Sequence, residues 1–419
     1  MKIAVVGSGI SGLGAAWLLS QKHEVHLFES ENRLGGHAHT VNIDENANSR
    51  IPVDTGFLVY NELTYPHLVQ FFKALNVTTV DSEMSLSVQV KSKNLEWSGT
   101  SLNTVFSQRK NWVRPRFYKM LFEILRFGRE AEENLSSSRR HAWSLADLLR
   151  DRKYSHGFCT DYLMPIGAAI WSTPETRMLD FPAETFLAFF INHKLLQVNN
   201  RPTWKTVNNG SIQYVQKAAA SIAKVHLSTP VLSVERSNGQ VLVCTASGTA
   251  EFDRVVMATH APITAKILKM QSDHEQRILS AIHYESNRTI LHADDSFMPR
   301  NRSCWSSWNV MGNNNLKQTQ KVSLSYYLNR LQPLKTQKNY FVTLNPNQEI
   351  KNPMQEFDYG HPQFDAQAIQ AQKDLPTIQG NSGVYFAGAW SRYGFHEDGL
   401  LSAINVARQM GIEIPWERF

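Results

Sequence analysis

Apolar positions along this chain follow two periods. Residues 2–6 and 24–28 are short, almost unbroken apolar runs, the pattern of strands covered on both faces. Between them, 14–20 (GAAWLLS) favours helix. Residues 51–60 read as strand, turn, strand. In 61–75, Leu63, His67, Leu68, Phe71, Phe72 and Leu75 recur at helical spacing and predict an amphipathic helix. Residues 80–97 alternate as a half-buried strand should. Residues 136–140 form a polar break, the best linker candidate, and 144–157 favour helix. Residues 161–190 are largely apolar, but Pro165, Pro174 and Pro182 forbid one long helix and predict short helices around an irregular apolar space. Further strands are expected at 224–234, 241–245, 252–259, 290–308 and 322–328. In the last two, Trp305, Trp308, Tyr326 and Tyr327 stand at strand spacing, to be divided between core and an apolar substrate surface.

The first unit carries the clearest chemistry. Gly7-Ser8-Gly9-Ile10-Ser11-Gly12 sits between a strand and a helix, the context that dinucleotide binding by G-x-G-x-x-G needs. Gly7 permits the tight turn, Gly9 lets the backbone approach a pyrophosphate, and Gly12 lets helix pack on strand. The helix N-terminus offers N–H groups and partial positive charge to phosphates. The second strand ends at Glu29, 20 residues after Gly9, where ribose hydroxyls are expected. Gly35-Gly36 follows, able to pass close to a second phosphate, with Arg33 to supply charge. Near the other end, 383–399 (GVYFAGAWSRYGFHEDG) again gives strand, glycine turn, loop and helix. Asp398 is the expected N-cap of a helix over 400–410.

Composition narrows this little. A chain of 419 residues with 42% hydrophobic and 19% charged residues is long enough for two globular domains. A net charge of +6 is too weak to argue for nucleic acid, and no nucleic-acid motif is present; it suits an anionic membrane surface or an acidic substrate. Cys159, Cys244 and Cys304 are isolated, so neither a disulfide framework nor a metal site is expected. A strand at residue 2 leaves no room for a leader, and no apolar run reaches about 18 residues. The expected setting is cytoplasmic.

One stretch points towards a membrane. From Arg109 to Arg129 (RKNWVRPRFYKMLFEILRFGR), seven Lys/Arg and a single acid, Glu123, interleave with Trp112, Phe117, Tyr118, Leu121, Phe122, Leu125 and Phe127. That is the composition of an interfacial helix on the inner face of a membrane. The alternative is a cap helix with a core-facing stripe and solvated charges.

Taken together, these motifs resemble the FAD-dependent amine oxidase superfamily, which includes protoporphyrinogen oxidases and carotenoid desaturases. The resemblance implies an α/β fold with a Rossmann-like FAD-binding domain, discontinuous over 1–80, 205–265 and 375–419. An α+β substrate domain with a helical cap would occupy 81–204 and 266–374. It implies that Gly7, Ser8, Gly9, Ser11 and Gly12 hold FAD, and that Glu29 binds the adenosine ribose. Arg33, Gly35, Gly36 and His37 would line the diphosphate and flavin, with His37 where many members have Arg. Gly56 and Phe57 of VDTGF would return to the flavin ring. Val231 would meet adenine, and Thr259 would close the strand over the cofactor. Gly388 and Ala389 occupy the superfamily's F-A-G-E turn, here without its acid, and Asp398, Gly399 and Leu400 open the last helix beside the flavin. No cysteine in that loop offers a thioether, so FAD is expected to be non-covalent.

The combination GGHAHT, VDTGFLVYN, MPIGAAIWSTP, DFPAETF, RPTW and FAGAWSRYGFHEDG resembles bacterial NAD/FAD-binding amine-oxidase-like proteins found with cyclopropane-fatty-acid synthases. This implies a lipid context, a cyclopropane-synthase-like methyltransferase as functional partner, and a fatty acyl chain as substrate. The expected reaction is desaturation of a modified or methyl-branched chain by hydride transfer to flavin N5. Fatty acid double-bond isomerisation, or oxidation of a small amine, is the alternative. An acyl C–H has no acidic proton, so orientation outweighs a strong base. His396 is the expected base, with His193 and His260 behind it, and Trp390 and Tyr393 shape the substrate slot.

Overall fold

The computed structural model describes residues 1–46, 49–197, 202–312 and 321–417. Its organising sheet is parallel and five-stranded, in the order Lys224–His226, Glu24–Phe28, Lys2–Val6, Arg254–Met257 and Val384–Phe386. Ile3, Val5, Val25, Leu27, Val255 and Val256 are fully buried, because both faces are covered. Helices Ile10–Leu19 and His396–Gln409 pack on one face. The antiparallel sheet of Val231–Ser237, Gln240–Thr245 and Gly248–Phe252 packs on the other. Gly7 turns with φ +98°, and a Cβ on Gly12 would lie 1.8 Å from the Gly7 carbonyl oxygen. The first helix therefore sits directly on its strand.

A mixed seven-stranded sheet forms the second unit. Its order is Gln355–Pro362, Tyr284–His292, Phe341–Leu344, Ser323–Tyr327, Trp308–Met311, Leu86–Val90 and Leu95–Ser98. The parallel pairing of Leu86–Val90 with Trp308–Met311 joins two distant stretches of chain. Helices between 102 and 192 bury a large apolar cluster against this sheet. The helices change at the prolines: Pro165 lies in the first turn of Met164–Trp171, and Pro174 and Pro182 stand as N-caps.

Several expectations are corrected. The helix expected over 61–75 is Pro66–Ala74. Asn61 Oδ1 accepts the amides of Leu63 and Thr64, which makes a turn and leaves Leu63 exposed. Leu86–Val90 is buried on both faces, with Ser87 bonded to Asn309 and Gln89 to Glu96. Residues 136–140 are no linker: they lie in helix Ala131–His141, whose acids Glu132 and Glu133 and bases Arg139 and Arg140 suit the helix dipole. The stretch 224–234 is two strands in different sheets, divided before Pro230. The final helix starts at His396, so Asp398 is not its N-cap; its carboxylate accepts the Phe395 amide at 3.0 Å. Arg109–Val113 is a 3₁₀ turn, separated by the N-cap Arg114 from helix Pro115–Arg129. That helix buries Phe117, Met120 and Phe127. No helix among the described residues is long and apolar enough to cross a membrane.

Gly12→Ala is expected to destabilise the protein by about 3 kcal/mol, because the clash is with backbone that cannot repack. Chemical denaturation would read this as a lower midpoint.

Candidate active site

A cavity of about 1180 Å³ runs between the two units. That exceeds the roughly 300–1,000 Å³ of an ordinary small-molecule site, leaving room for two ligands. Its lining changes from polar to apolar along its length.

The polar end is built on the parallel sheet. Gly7, Ser8, Gly9 and Ser11 line it. A Cβ on Gly9 would meet nothing within 4 Å, so the loop faces open space there. The N-cap Gly9 supplies no side-chain acceptor, leaving first-turn amides for a ligand. Glu29 Oε2 accepts the Ser8 amide at 3.0 Å, and Oε1 accepts the Glu31 amide at 2.9 Å, which fixes its carboxylate at the end of its strand. Arg33 is braced by the Gly36 carbonyl and Glu31, both at 2.9 Å. Val231 and Thr259 complete this wall.

In the middle stands a cluster of imidazoles. His37 lies 5.6 Å from His361 and 6.0 Å from His260 between ring centres, and 5.1 Å from Tyr359. Burial pushes His39, His260 and His361 down to about 4, and His37 well down too. All four are neutral near pH 7. His37 Nε2 is buried without a hydrogen-bond partner among the described residues, an atom that a bound acceptor or donor would satisfy. Gly56 and Phe57 adjoin this zone, since the Phe57 amide donates to the His37 carbonyl at 2.8 Å. His396 stacks on Phe57 at 3.7 Å, and its Nε2 meets the Tyr214 hydroxyl at 3.2 Å. Burial pushes it down to about 3.

Beyond lies an apolar chamber bounded by Leu86, Trp97, Ile166, Ile170, Trp171 and Phe190, with Trp308, Tyr326 and Leu344 from the large sheet. No carboxylate lines it among the described residues. The lining acids are Glu29 and Glu31 at the polar end and Asp358, which is exposed on the edge strand and accepts the Ser286 hydroxyl. Trp308 and Tyr326 face the cavity in edge-to-face contact at 4.9 Å, whereas Trp305 and Tyr327 pack on Phe341 as core. Trp390 and Tyr393 also line the cavity. The Trp390 indole is buried and donates to the Thr259 carbonyl at 3.4 Å, while Arg392 lies over the Tyr393 ring at 5.5 Å.

Five expected site residues do not line this cavity: Gly12, Gly35, Asp398, Gly399 and Leu400. Gly12 packs on Gly7, Gly35 on Ala38, and Gly399 on Ile10 and Ser11, while Leu400 packs on Gly14. Asp398 turns back to its own helix start, and its neighbour Glu397 caps helix Pro66–Ala74 by accepting the amides of His67 and Leu68. Neither stands in for the missing acid of the turn at Gly388 and Ala389, which do line the cavity. Of the run 201–204, Arg201 lies outside the described residues. Strand Gln355–Pro362 went unnoticed in the sequence, yet it contributes Phe357, Tyr359 and His361 to the wall. Their spacing of two was the available signal.

A sequence model of the family described as flavin containing amine oxidoreductase matches residues 10–333. A search of curated protein sequences found no match. Among solved structures, putrescine oxidase bound to putrescine is similar at 14% identity and TM-score 0.69, covering 99% of this chain and 100% of that one. Cyclohexylamine oxidase from Brevibacterium oxydans IH-35A is similar at 13% identity and TM-score 0.70, covering 98% and 99%. A CLA-producing fatty acid isomerase from P. acnes is similar at 13% identity and TM-score 0.68, covering 97% and 98%. At such identities the likeness shows the fold, a two-domain α/β architecture. The family match covers most of the chain, and the cavity it surrounds has a glycine loop, helix N-termini and an unpartnered His37 suited to a dinucleotide: the chain belongs to the flavin-containing amine oxidoreductase family and is a flavin-dependent oxidoreductase.

Proposed function

We propose that this protein is an FAD-dependent oxidoreductase that desaturates a modified or methyl-branched fatty acyl chain of a lipid. The observation that carries this reading is the chamber next to the polar end of the cavity, which is walled by aromatic and aliphatic side chains and lined by no carboxylate among the described residues. Such a wall excludes water and holds a hydrocarbon chain by apolar burial, about 0.8 kcal/mol per methylene. A small diamine would find no counter-charge in it. A cyclopropane-synthase-like methyltransferase is the class of enzyme that would supply a methyl-branched chain.

In this reading Glu29 would accept from ribose hydroxyls, Arg33 and the first-turn amides after Gly9 would hold the diphosphate, and Gly388, Ala389 and His396 would meet the ring end; all of them line the cavity. Bound FAD supplies a two-electron acceptor for hydride at N5. No cysteine lines the cavity among the described residues, in keeping with a non-covalent cofactor.

The proton lost from the neighbouring carbon needs only a weak base, because loss of hydride makes that C–H acidic. His193 fits better than His396. Its Nδ1 faces the Phe189 carbonyl at 3.0 Å, and a carbonyl can only accept. This fixes the tautomer with the proton on Nδ1 and leaves Nε2 as a free acceptor at the cavity wall. The His396 Nε2 is already engaged by Tyr214. Burial pushes His193 down to about 4, so it is neutral, and able to accept, at any pH well above that value.

Under anaerobic conditions, a phospholipid bearing a methyl-branched unsaturated chain is expected to bleach the flavin absorbance, and putrescine or cyclohexylamine is not. Product formation with an unchanged spectrum would instead support double-bond isomerisation, and bleaching by the amines alone would overturn the acyl reading.

His193→Gln is expected to lower kcat by about a hundredfold or more, and His396→Gln by less than about tenfold. The wild-type rate should be flat from about pH 6 to 8 and fall only as pH drops towards the His193 value. A limb near pH 6.5, or the reverse ranking of the two variants, would reject this assignment.

Glu29→Ala is expected to weaken FAD retention about ten- to a hundredfold, the worth of hydrogen bonds to a charged group. Flavin released by acid precipitation should account for all that is bound, as a non-covalent cofactor requires.

A further inference from the structure

Helix Pro115–Arg129 is apolar on two faces. One is spent in the core on Phe117, Met120 and Phe127. The other carries Tyr118, Phe122 and Leu125 at i, i+4 and i+7, and it is exposed. Trp112 and Val113 precede it, and Leu102 lies on the short helix Leu102–Val105. These six side chains are between 43% and 82% exposed. They form one patch: Phe106, which caps the short helix, stacks on Trp112 at 4.1 Å and lies 5.6 Å from Tyr118, whose hydroxyl donates to the Trp112 carbonyl at 3.0 Å.

Two further observations say what covers it. First, the exposed charge on the segment that carries it, 99–129, has one sign, and the exposed acids Glu132 and Glu133 begin only on the next helix. Arg109, Arg114, Lys119 and Arg129 are exposed and have no carboxylate partner among the described residues. From residue 99 to 129 the only acid is Glu123, which is buried and holds the Ser155 amide at 3.1 Å. Second, the apolar chamber reaches the surface here, since Leu102, Val105, Leu121, Ile124 and Leu125 belong to its lining. Lys194 also lines the cavity, and Leu196, two residues on, packs against Gly128 at the end of the same helix.

We propose that the patch of Leu102, Trp112, Val113, Tyr118, Phe122 and Leu125 docks on an anionic phospholipid bilayer, so that the chamber opens into the hydrocarbon of the membrane. The doorway role rests on the acyl-chain reading; the docking itself does not. Aromatic side chains at such a surface sit at headgroup level, with aliphatic tips below them. Each free Lys or Arg near an anionic surface strengthens binding about fivefold. An acyl chain of a bilayer lipid can then enter without crossing water, and its phosphate would meet Arg129 or Lys194.

The test is co-sedimentation of the flavin-loaded protein with vesicles of phosphatidylglycerol and phosphatidylethanolamine, against vesicles of phosphatidylcholine alone. Binding to the anionic vesicles is expected, weakening at about 1 M salt, where screening acts within about 3 Å. Trp112→Ser with Phe122→Ser should lose at least about tenfold in binding, and so should Arg114→Glu with Lys119→Glu. Both pairs should keep wild-type flavin content and turnover of detergent-dispersed substrate, which excludes misfolding as the cause. The proposal is overturned if the wild type stays in the supernatant, or if the apolar pair binds vesicles as well as wild type. It is also overturned if the patch joins two copies, seen as a dimer in sedimentation velocity that Phe122→Ser abolishes. Bilayer binding with no flavin bleaching by any acyl lipid would sink the acyl reading and support the docking. Bleaching by detergent-dispersed lipid without vesicle binding would do the reverse.

Discussion

Two helix N-termini are held at one cavity by a seam of small residues, and the rest of the molecule is arranged around that constraint. A Cβ on Gly12 would strike the Gly7 carbonyl, one on Gly14 would lie 2.7 Å from Leu400, and one on Gly399 would lie 2.7 Å from Ile10. Helices Ile10–Leu19 and His396–Gln409 therefore pack closely, with side chains of one seated on glycines of the other, although nearly the whole chain separates them. The first helix starts at the cavity with Gly9, Ile10 and Ser11, and the last reaches it with His396, while its acids Glu397 and Asp398 turn to protein amides. A substituent on any of these glycines would push one terminus away, and the dipoles would no longer converge. Gly12 thus lets the first helix sit on its strand, and Gly14 and Gly399 let the two helices sit on each other.

From that polar fork the cavity passes to hydrocarbon-like walls within a single continuous space. The change has a structural source. The polar end is made by loops that leave the parallel sheet, where backbone amides are free at helix starts. The apolar end lies between the seven-stranded sheet and the helical layer, where alternate strand residues such as Trp308 and Tyr326 must point inward. Several polar side chains of that layer are paired with each other, as Ser87 is with Asn309, while the buried indole N–H groups of Trp171 and Trp308 have no partner among the described residues. What lines the chamber is mostly ring and aliphatic surface. On the acyl-chain reading, a substrate held there is selected by shape and apolar area.

The parallel sheet was legible because continuous apolar runs and the Gly7–Gly12 spacing each demand one local geometry. Glu29, Gly36, Phe57, Val231 and Gly388 could be placed in the site from motifs that stand in contiguous sequence. Long-range packing was not legible. Nothing local distinguishes Asp398 as a helix-start acceptor from a cofactor ligand, or tells that Glu397 reaches over to cap helix Pro66–Ala74. His193 gains its fixed tautomer from a carbonyl one turn earlier, which exists only once Ala183–Asn192 is helical. Strand Gln355–Pro362 was missed because its Phe, Tyr and His alternate with Glu, Asp and Gly, and only its place at the sheet edge turns one side into cavity wall. Helix Pro115–Arg129 shows the same limit. Periodicity established that it is amphipathic, but both its stripes are apolar, and only tertiary packing decides which one is buried.

The imidazole cluster shows how burial replaces fixed charge. Where the resemblance leads one to expect arginine beside a diphosphate, this chain has His37, with His260 and His361 within about 6 Å of it. Desolvation strongly disfavours protonating three close imidazoles, and their mutual repulsion would raise the cost further. They therefore act as neutral hydrogen-bonding groups. The positive features left at this end of the cavity are Arg33 and the helix start after Gly9. Adding arginine at His37 would place a second cation beside the half-buried Arg33, whose carboxylate partner Glu31 is already engaged. A neutral donor satisfies the same acceptor without that penalty. On the proposed FAD reading, cofactor retention therefore depends on backbone geometry rather than on the protonation state of the surrounding histidines.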